Sequence, residues 1–323
     1  MNLEIPWVEK YRPKTFSDIV SQSIAVNNLK KFVNSTNIPH LIFTGPAGTG
    51  KTSTALIIAR FFLKKEELET NILELNASDT VRIDFVRNVM KNFVNQNLIR
   101  NGSLKFVILD EADNIPGQVQ QALRRIIEKT SNNIKFILLC NYINRIIDPI
   151  ISRCAVFRFV SLPKEKIIER LKSISIEENL KIPSDKSKEF FEQLYFISGG
   201  DLRKAINTLQ MAVALDLLEN LNIDEILKIS GFLDKQTLKD LTKAIKSKDL
   251  IKTRKIIQSI ETIDSRNFIR QISEILPSLN INTEKVSELK AYIGKIDYRI
   301  SQGADELVQI LALLALLIES IES

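Results

Sequence analysis

Eight residues constrain this chain more than any others. Gly45-Pro46-Ala47-Gly48-Thr49-Gly50-Lys51-Thr52 fits the pattern G-x-x-x-x-G-K-[ST]. Each position has a physical task. Glycines let the backbone turn tightly and aim its N–H groups inward at phosphates. Lys51 brings a point charge to the β and γ phosphates, and Thr52 offers a hydroxyl to Mg²⁺. The flanks suit the motif. Apolar Leu41, Ile42 and Phe43 read as a buried strand entering the loop, and Thr54 to Leu63 as the helix leaving it. Phosphates would then sit at a helix N-terminus, where unpaired N–H groups and the helix dipole favour anions.

The same alternation continues downstream. Asn71 to Leu75, Lys105 to Leu109, Ile134 to Leu139 and Ala155 to Phe159 read as short apolar strands. Helical patterns lie before the first strand at Gln22 to Asn34, and between later strands at Ile83 to Leu98 and Gln118 to Thr130. Continuous apolar strands alternating with helices argue a doubly wound parallel sheet covered on both faces. Ligand binds such sheets at the strands' carboxyl ends, where the phosphate loop, Asp110 and Asn141 all fall. After Leu162-Pro163 no strand pattern remains. Lys164 to Leu215 reads as short helices, broken near Lys181 to Ser184 and at Gly199-Gly200. About Ile223 to Ser323 is helical again. The expected domains are 1–161, 162–227 and 228–323.

Composition removes several function classes. The two cysteines, Cys140 and Cys154, and the one histidine, His40, supply neither a disulfide framework nor a Cys/His zinc site. His40 reads as a packing residue before the first strand. The most apolar run, Leu307 to Ile318, is about a dozen residues, too short to cross a bilayer, and the first residues lack an apolar leader core. No membrane role is expected, and the expected compartment is a reducing interior. The net charge of +6 reflects 45 basic against 39 acidic residues, which favours an acidic partner only weakly.

Asp110-Glu111 closes the strand after the phosphate loop. Asp110 would hold Mg²⁺ together with Thr52, and Glu111 would orient and polarise the attacking water. Asp110-Glu111-Ala112-Asp113 also spells the signature of DEAD-box helicases. Those need a second α/β domain downstream, and everything after Pro163 reads as helix.

Longer motifs narrow the reading. Trp7-Val8-Glu9-Lys10-Tyr11-Arg12-Pro13, Asn76-Ala77-Ser78-Asp79, Ala122-Leu123-Arg124-Arg125, Cys140-Asn141-Tyr142, Ser152-Arg153-Cys154 and Gly200 to Asn207 join the phosphate loop. With these the chain resembles the AAA+ ATPases, and among them the small subunits of replication factor C, the sliding-clamp loader. The likeness is strongest from Trp7 to about Leu209. It implies an AAA+ parallel sheet followed by a helical lid and an all-helical collar. It implies ATP and Mg²⁺ as ligands, a ring of large and small subunits, pentameric in all, and work on a sliding clamp and primer–template DNA. An archaeal cytoplasm is expected over a nucleus, since no basic import cluster appears. Val8, Tyr11 and Arg12 would border the adenine. Asn141 would be the first sensor of the γ-phosphate and Arg203, on the lid, the second. Arg153 would be the arginine finger offered to a neighbouring subunit's ATP. Arg82, Arg87 and Lys91 would face DNA; the spacing puts Arg87 and Lys91 on one helix face.

Three departures from the family pattern stand out. Thr80-Val81-Arg82 replaces Glu-Arg-Gly, displacing the arginine by one position. Ile126-Ile127-Glu128 stands where Met and Tyr usually dock on the clamp, removing an aromatic anchor and implying a weaker clamp contact. Leu307-Val308-Gln309 replaces a more polar stretch. The alternatives are another AAA+ DNA motor, such as a branch-migration motor, and an ATP-binding structural member of the loader ring.

Overall fold

The computed structural model describes residues 5–33, 38–77, 92–93, 104–130, 133–218, 221–260 and 264–321. Two compact units are present, 1–180 with 198–209, and 181–197 with 210–323.

The first unit is built on one parallel sheet. Its strands are β1 (His40–Thr44), β2 (Ile72–Asn76), β3 (Lys105–Asp110), β4 (Ile134–Cys140) and β5 (Cys154–Arg158). They lie in the order β2-β3-β4-β1-β5, every pair parallel. The continuous apolar runs are explained by burial on both faces. Successive side chains point to opposite sides of a strand. Leu41, Phe43, Phe106, Ile108, Ile137 and Leu139 therefore pack on one face with Leu29 and Val33 of the helix Ser23–Val33 and Ala55 and Ile58 of the helix Lys51–Phe62. Ile42, Val107, Leu109, Phe136 and Leu138 pack on the other with Val119, Leu123 and Ile127 of the helix Gly117–Thr130. Burying one such side chain fully contributes about 1.5–3 kcal/mol, so these two layers hold the sheet firmly between its helices.

Topology sets the position of the site. The chain leaves β1, crosses to the far edge at β2, then returns through β3 to β4 beside β1. The carboxyl ends of β3, β4 and β1 are thus neighbours, and a crevice opens where the direction of travel reverses.

Boundaries shift by a few residues from the sequence reading, for local reasons. Asn71 ends a short helix, Leu68–Asn71, instead of starting a strand. Its side chain is buried and donates from Nδ2 to the Leu104 carbonyl at 3.2 Å, which ties the turn to the sheet edge. The helix after the phosphate loop begins at Lys51, earlier than Thr54, because the loop delivers its backbone straight into the first turn. His40 lies within β1, not before it. Its Nδ1 accepts the Phe136 N–H at 3.1 Å, which makes it the packing residue expected. The helix expected over Ile83 to Leu98 lies outside the described residues except at 92–93.

Helices Lys164–Glu177, Ser184–Ser198 and Leu202–Ala214 follow, with breaks where Pro183 and Gly199-Gly200 stand. The second unit is helical throughout its described residues, apart from an isolated antiparallel bridge between Ile281 and Ile321. Its core gathers Leu241, Ile245, Phe268, Ile272, Leu313 and Leu317. The apolar helix Glu306–Ser320 packs against four others, which accounts for its apolar run. Among the described residues no helix is long and apolar enough to cross a membrane.

A candidate nucleotide site at three strand ends

The phosphate loop leaves β1 between Asn141, which follows β4, and Phe159, which follows β5. Two of its glycines are obligatory by geometry. At Gly45, φ is +144° and an added Cβ would meet the Phe159 carbonyl oxygen at 2.0 Å. At Gly48, φ is +67° and a Cβ would lie 1.8 Å from Asp201 Oδ1. Both are backbone conformations that L side chains rarely adopt, with no room besides. The Gly45 N–H also donates to the Cys140 carbonyl at 3.2 Å, and Thr49 Oγ1 donates to the Pro46 carbonyl at 2.8 Å, which fixes the loop's curvature.

Lys51 is buried, yet its ammonium is held by three oxygens. Nζ donates to the Gly45 carbonyl at 2.7 Å, the Pro46 carbonyl at 2.8 Å and Asn141 Oδ1 at 3.1 Å. Burial lowers its pKa, and nearby acids, Asp110 first, push it back up. Thr52 Oγ1 donates to Asp110 Oδ2 at 2.9 Å. A hydroxyl and a carboxylate so placed suit Mg²⁺, which takes hard oxygen ligands and keeps several positions for phosphate and water. Among the described residues no group of three or more His, Cys, Asp or Glu side chains is placed to hold a metal ion by itself.

Glu111 follows β3 with φ +53°, a left-handed kink at the strand's end. Its N–H is held by Asp110 Oδ1 at 2.9 Å, and its Oε2 accepts from Asn114 Nδ2 at 3.2 Å. A further carboxylate, Asp113, is buried just beyond. Asp113 Oδ2 accepts the N–H groups of Asn141 at 3.2 Å and Tyr142 at 3.1 Å. The turn carrying Glu111 is thereby locked to the end of β4.

A cavity of about 260 Å³ collects these groups. Ala47 to Thr52, Asp110, Glu111 and Asn141 line it from the sheet, Val8, Tyr11 and Arg12 from the leading segment, and Arg203 from the helix Leu202–Ala214. Tyr11 Oη donates to Glu178 Oε1 at 2.7 Å; burial and that carboxylate together raise its pKa. Arg12 pairs with Glu9 at 2.6 Å. Gly45 and Pro46 do not line the cavity; they serve it through the carbonyls that hold Lys51. Arg153 does not line it either. Arg82, Arg87 and Lys91 lie outside the described residues.

Sequence reasoning missed two contributors. Arg170 lines the cavity, its guanidinium 5.7 Å from the Tyr11 ring centroid, and Nη2 donates to the Tyr11 carbonyl at 3.3 Å. Nothing local marks it out from other helix-surface arginines. Asp113 carried a signal, the fourth letter of Asp-Glu-Ala-Asp, but its task is visible only once β3 and β4 are neighbours.

Comparison with known proteins agrees with this geometry. Residues 41–162 match the model of the ATPase family associated with various cellular activities, and residues 233–316 that of the replication factor C C-terminal domain. The replication factor C small subunit 1 of Pyrobaculum islandicum is 40% identical over 97% of this chain and 94% of its own length. The replication factor C small subunit of Archaeoglobus fulgidus is 40% identical over 98% of each chain. The chain belongs to the replication factor C small-subunit family. It is an ATP hydrolase of the AAA+ class and a clamp-loader subunit of DNA replication. The solved structure of the Thermotoga maritima RuvB Holliday junction branch migration motor covers 84% of this chain and 92% of its own, at a TM-score of 0.54 and 18% identity. That likeness shows the shared fold. With 40% identity on the other side, the branch-migration alternative is not favoured. The expected fold is therefore the observed one: an AAA+ parallel sheet clothed in helices, followed by an all-helical replication factor C region.

Proposed function

We propose that this subunit binds MgATP in the 260 Å³ cavity, and that ATP state couples ring assembly to opening a sliding clamp and gripping primer–template DNA. One observation carries the nucleotide part: Lys51, Thr52, Asp110, Glu111 and Asn141 converge from three adjacent strand ends on one cavity. Thr52 and Asp110 hold Mg²⁺, which supplies charge neutralisation on the phosphates. Lys51 binds the β and γ phosphates. Glu111 holds the attacking water and takes its proton. Asn141 reads the γ-phosphate from the sheet and Arg203 from the lid. Val8, Tyr11 and Arg12 shape the adenine end.

Arg153 does not line its own subunit's cavity, and its side chain is 40% exposed, open to a neighbour's ATP. A finger supplied by another chain makes hydrolysis depend on assembly, and in other nucleotide hydrolases contributes about 10³–10⁵ in rate. Residues 1–161 would form the nucleotide domain, 162–227 the lid and 228–323 the collar through which large and small subunits join in a five-membered ring. Arg82, Arg87 and Lys91 would meet the DNA backbone. The partners and the setting in an archaeal cytoplasm are part of the same reading. A purely structural ring member is the competing role.

Reconstitution with partner subunits tests it. ATP turnover is measured with primed DNA and clamp for the wild type, Lys51→Ala, Glu111→Gln and Arg153→Ala. All three substitutions should depress the stimulated rate. Turnover indifferent to DNA and clamp would overturn the clamp-loading reading. A silent Glu111→Gln beside a dead Arg153→Ala would favour the structural role.

A further inference from the structure

Arg153 does not hang free. Its Nη2 lies 2.7 Å from Glu128 Oε1, and its Nη1 donates to the Pro149 carbonyl at 2.6 Å and to Ser152 Oγ at 3.3 Å. Glu128 stands on the last turn of the helix Gly117–Thr130, Pro149 on the short helix Asp148–Ile151 that immediately precedes the arginine. The same Glu128 Oε1 lies 3.3 Å from Arg124 Nε, one helical turn earlier. Two guanidiniums therefore share a single carboxylate, and the cluster keeps a net positive charge. The Arg153 side chain remains 40% exposed, with part of its donor fork uncommitted among the described residues.

We infer that Glu128 is a positioning residue for the finger: it holds Arg153 extended and aimed before a neighbouring subunit's phosphates arrive. This rests on the proposed reading of Arg153 as a finger. The gain is entropic more than Coulombic. Both side chains are about a third exposed or more, and a pair this wet adds little Coulombic stability. What a fixed carboxylate does for an arginine is remove rotamer freedom in advance. A long side chain ordered only on binding carries a cost that weakens whatever it binds. With Nη1 and Nη2 tied, the planar fork is already oriented, and Nε–H and the second Nη2–H are left for the charge that develops on a transferring phosphoryl group. Arg124 completes the device by preventing Glu128 from neutralising the finger outright. The helix that carries Glu128 is the one packed beneath β3 and β4 by Val119, Leu123 and Ile127, so the clasp is anchored to the sheet that bears the chain's own nucleotide site.

The test uses the assembled ring with primed DNA, comparing wild type, Glu128→Ala, Glu128→Asp, Arg153→Ala and the Glu128→Ala/Arg153→Ala double variant. Glu128→Ala should lower kcat about two- to tenfold, the span of an ordering cost for one long side chain, with KM for ATP unchanged. Glu128→Asp should restore part of the loss. The double variant should turn over no more slowly than Arg153→Ala alone, because the carboxylate acts only through the arginine. Thermal midpoint and ring assembly should be unaltered in Glu128→Ala, which separates aim from folding. A normal kcat in Glu128→Ala, with Arg153→Ala inactive, overturns the positioning role and leaves the finger standing. An unaltered Arg153→Ala overturns the finger reading and this inference with it. A Glu128→Ala loss that persists in the Arg153→Ala background assigns Glu128 to some other task and also overturns the inference.

Discussion

Asn141 Oδ1 accepts a hydrogen bond from Lys51 Nζ at 3.1 Å, joining the end of β4 to the phosphate loop that follows β1. The ammonium has two other acceptors, both carbonyls of its own loop, so among the described residues Asn141 is its tie to a second strand. Asn141→Ala should therefore loosen the aim of Lys51 without emptying the cavity. Hydrogen bonds to charged groups contribute about 1.5–3 kcal/mol, so kcat should fall by roughly tenfold or more. ATP affinity, measured by equilibrium titration, should change less than kcat. A loss of affinity with kcat unchanged would mean that Asn141 serves binding alone.

Asp113 sets that geometry from behind. Its buried carboxylate receives the Asn141 and Tyr142 N–H groups on one oxygen. Asp113→Ala leaves two partly buried backbone donors without their acceptor, at up to about 1 kcal/mol for each. Asp113→Asn keeps an acceptor of the same shape. The alanine variant should lower the unfolding midpoint in urea clearly and the asparagine variant little, while both reduce ATP turnover. If the two variants unfold alike at the wild-type midpoint, these hydrogen bonds do not hold the end of β4.

Much of this site is legible in the residues alone. The phosphate loop, the strand ends and the acidic pair after β3 announce themselves because their chemistry demands fixed spacing along the chain. Burial on both faces makes the strands continuous apolar runs, which is why their limits shift by only a residue or so. Asn71 misleads because a buried polar side chain bonded to the Leu104 carbonyl looks, in sequence, like the start of a strand. The pairs Glu128–Arg153, Asp113–Asn141 and Arg170–Tyr11 have no such signature. Each joins residues far apart in sequence, and only the parallel order of the strands and the packing of helices on them decides that they meet.

Gly48 offers a test of the phosphate loop by backbone alone. An alanine there meets Asp201 Oδ1 at 1.8 Å in a conformation with φ +67°. Gly117 has nothing within 4 Å of an added Cβ and no positive φ. Gly48→Ala should abolish nucleotide binding in a filter or fluorescence assay, whereas Gly117→Ala should bind as the wild type does. Normal binding by Gly48→Ala would show that the loop and Asp201 part without cost.

DNA binding is checked by salt. Arg87→Ala with Lys91→Ala should reduce the slope of log affinity against log salt by up to about two, near one unit for each phosphate left without its cation. The weakening should be the same on primed templates of different sequence, because the phosphate backbone carries no sequence information. A slope identical to the wild type would assign both residues to a solvated face.

His40 predicts a pH dependence whose sign is fixed by its surroundings. Burial, with the Lys135 charge adding to it, lowers its pKa from 6.5 to about 4, and the Phe136 N–H points at Nδ1, which must stay unprotonated to accept it. The unfolded chain takes up a proton near 6.5, and the folded chain resists until about 4. Between those values the unfolded state binds more protons, so stability falls as pH drops through this window and the loss is complete below about 4. At about 1.4 kcal/mol for each pKa unit, the full effect is about 3 kcal/mol. Above pH 6.5 it contributes nothing. His40→Asn keeps an acceptor near the Nδ1 position and removes the titration. Subtracting its urea stability from that of the wild type across roughly pH 8 to 4 cancels the carboxylates common to both. The difference should be flat down to about pH 6.5 and then turn steadily against the wild type. A difference that stays flat to about pH 4 would mean that the imidazole charges in place and β1 accommodates it.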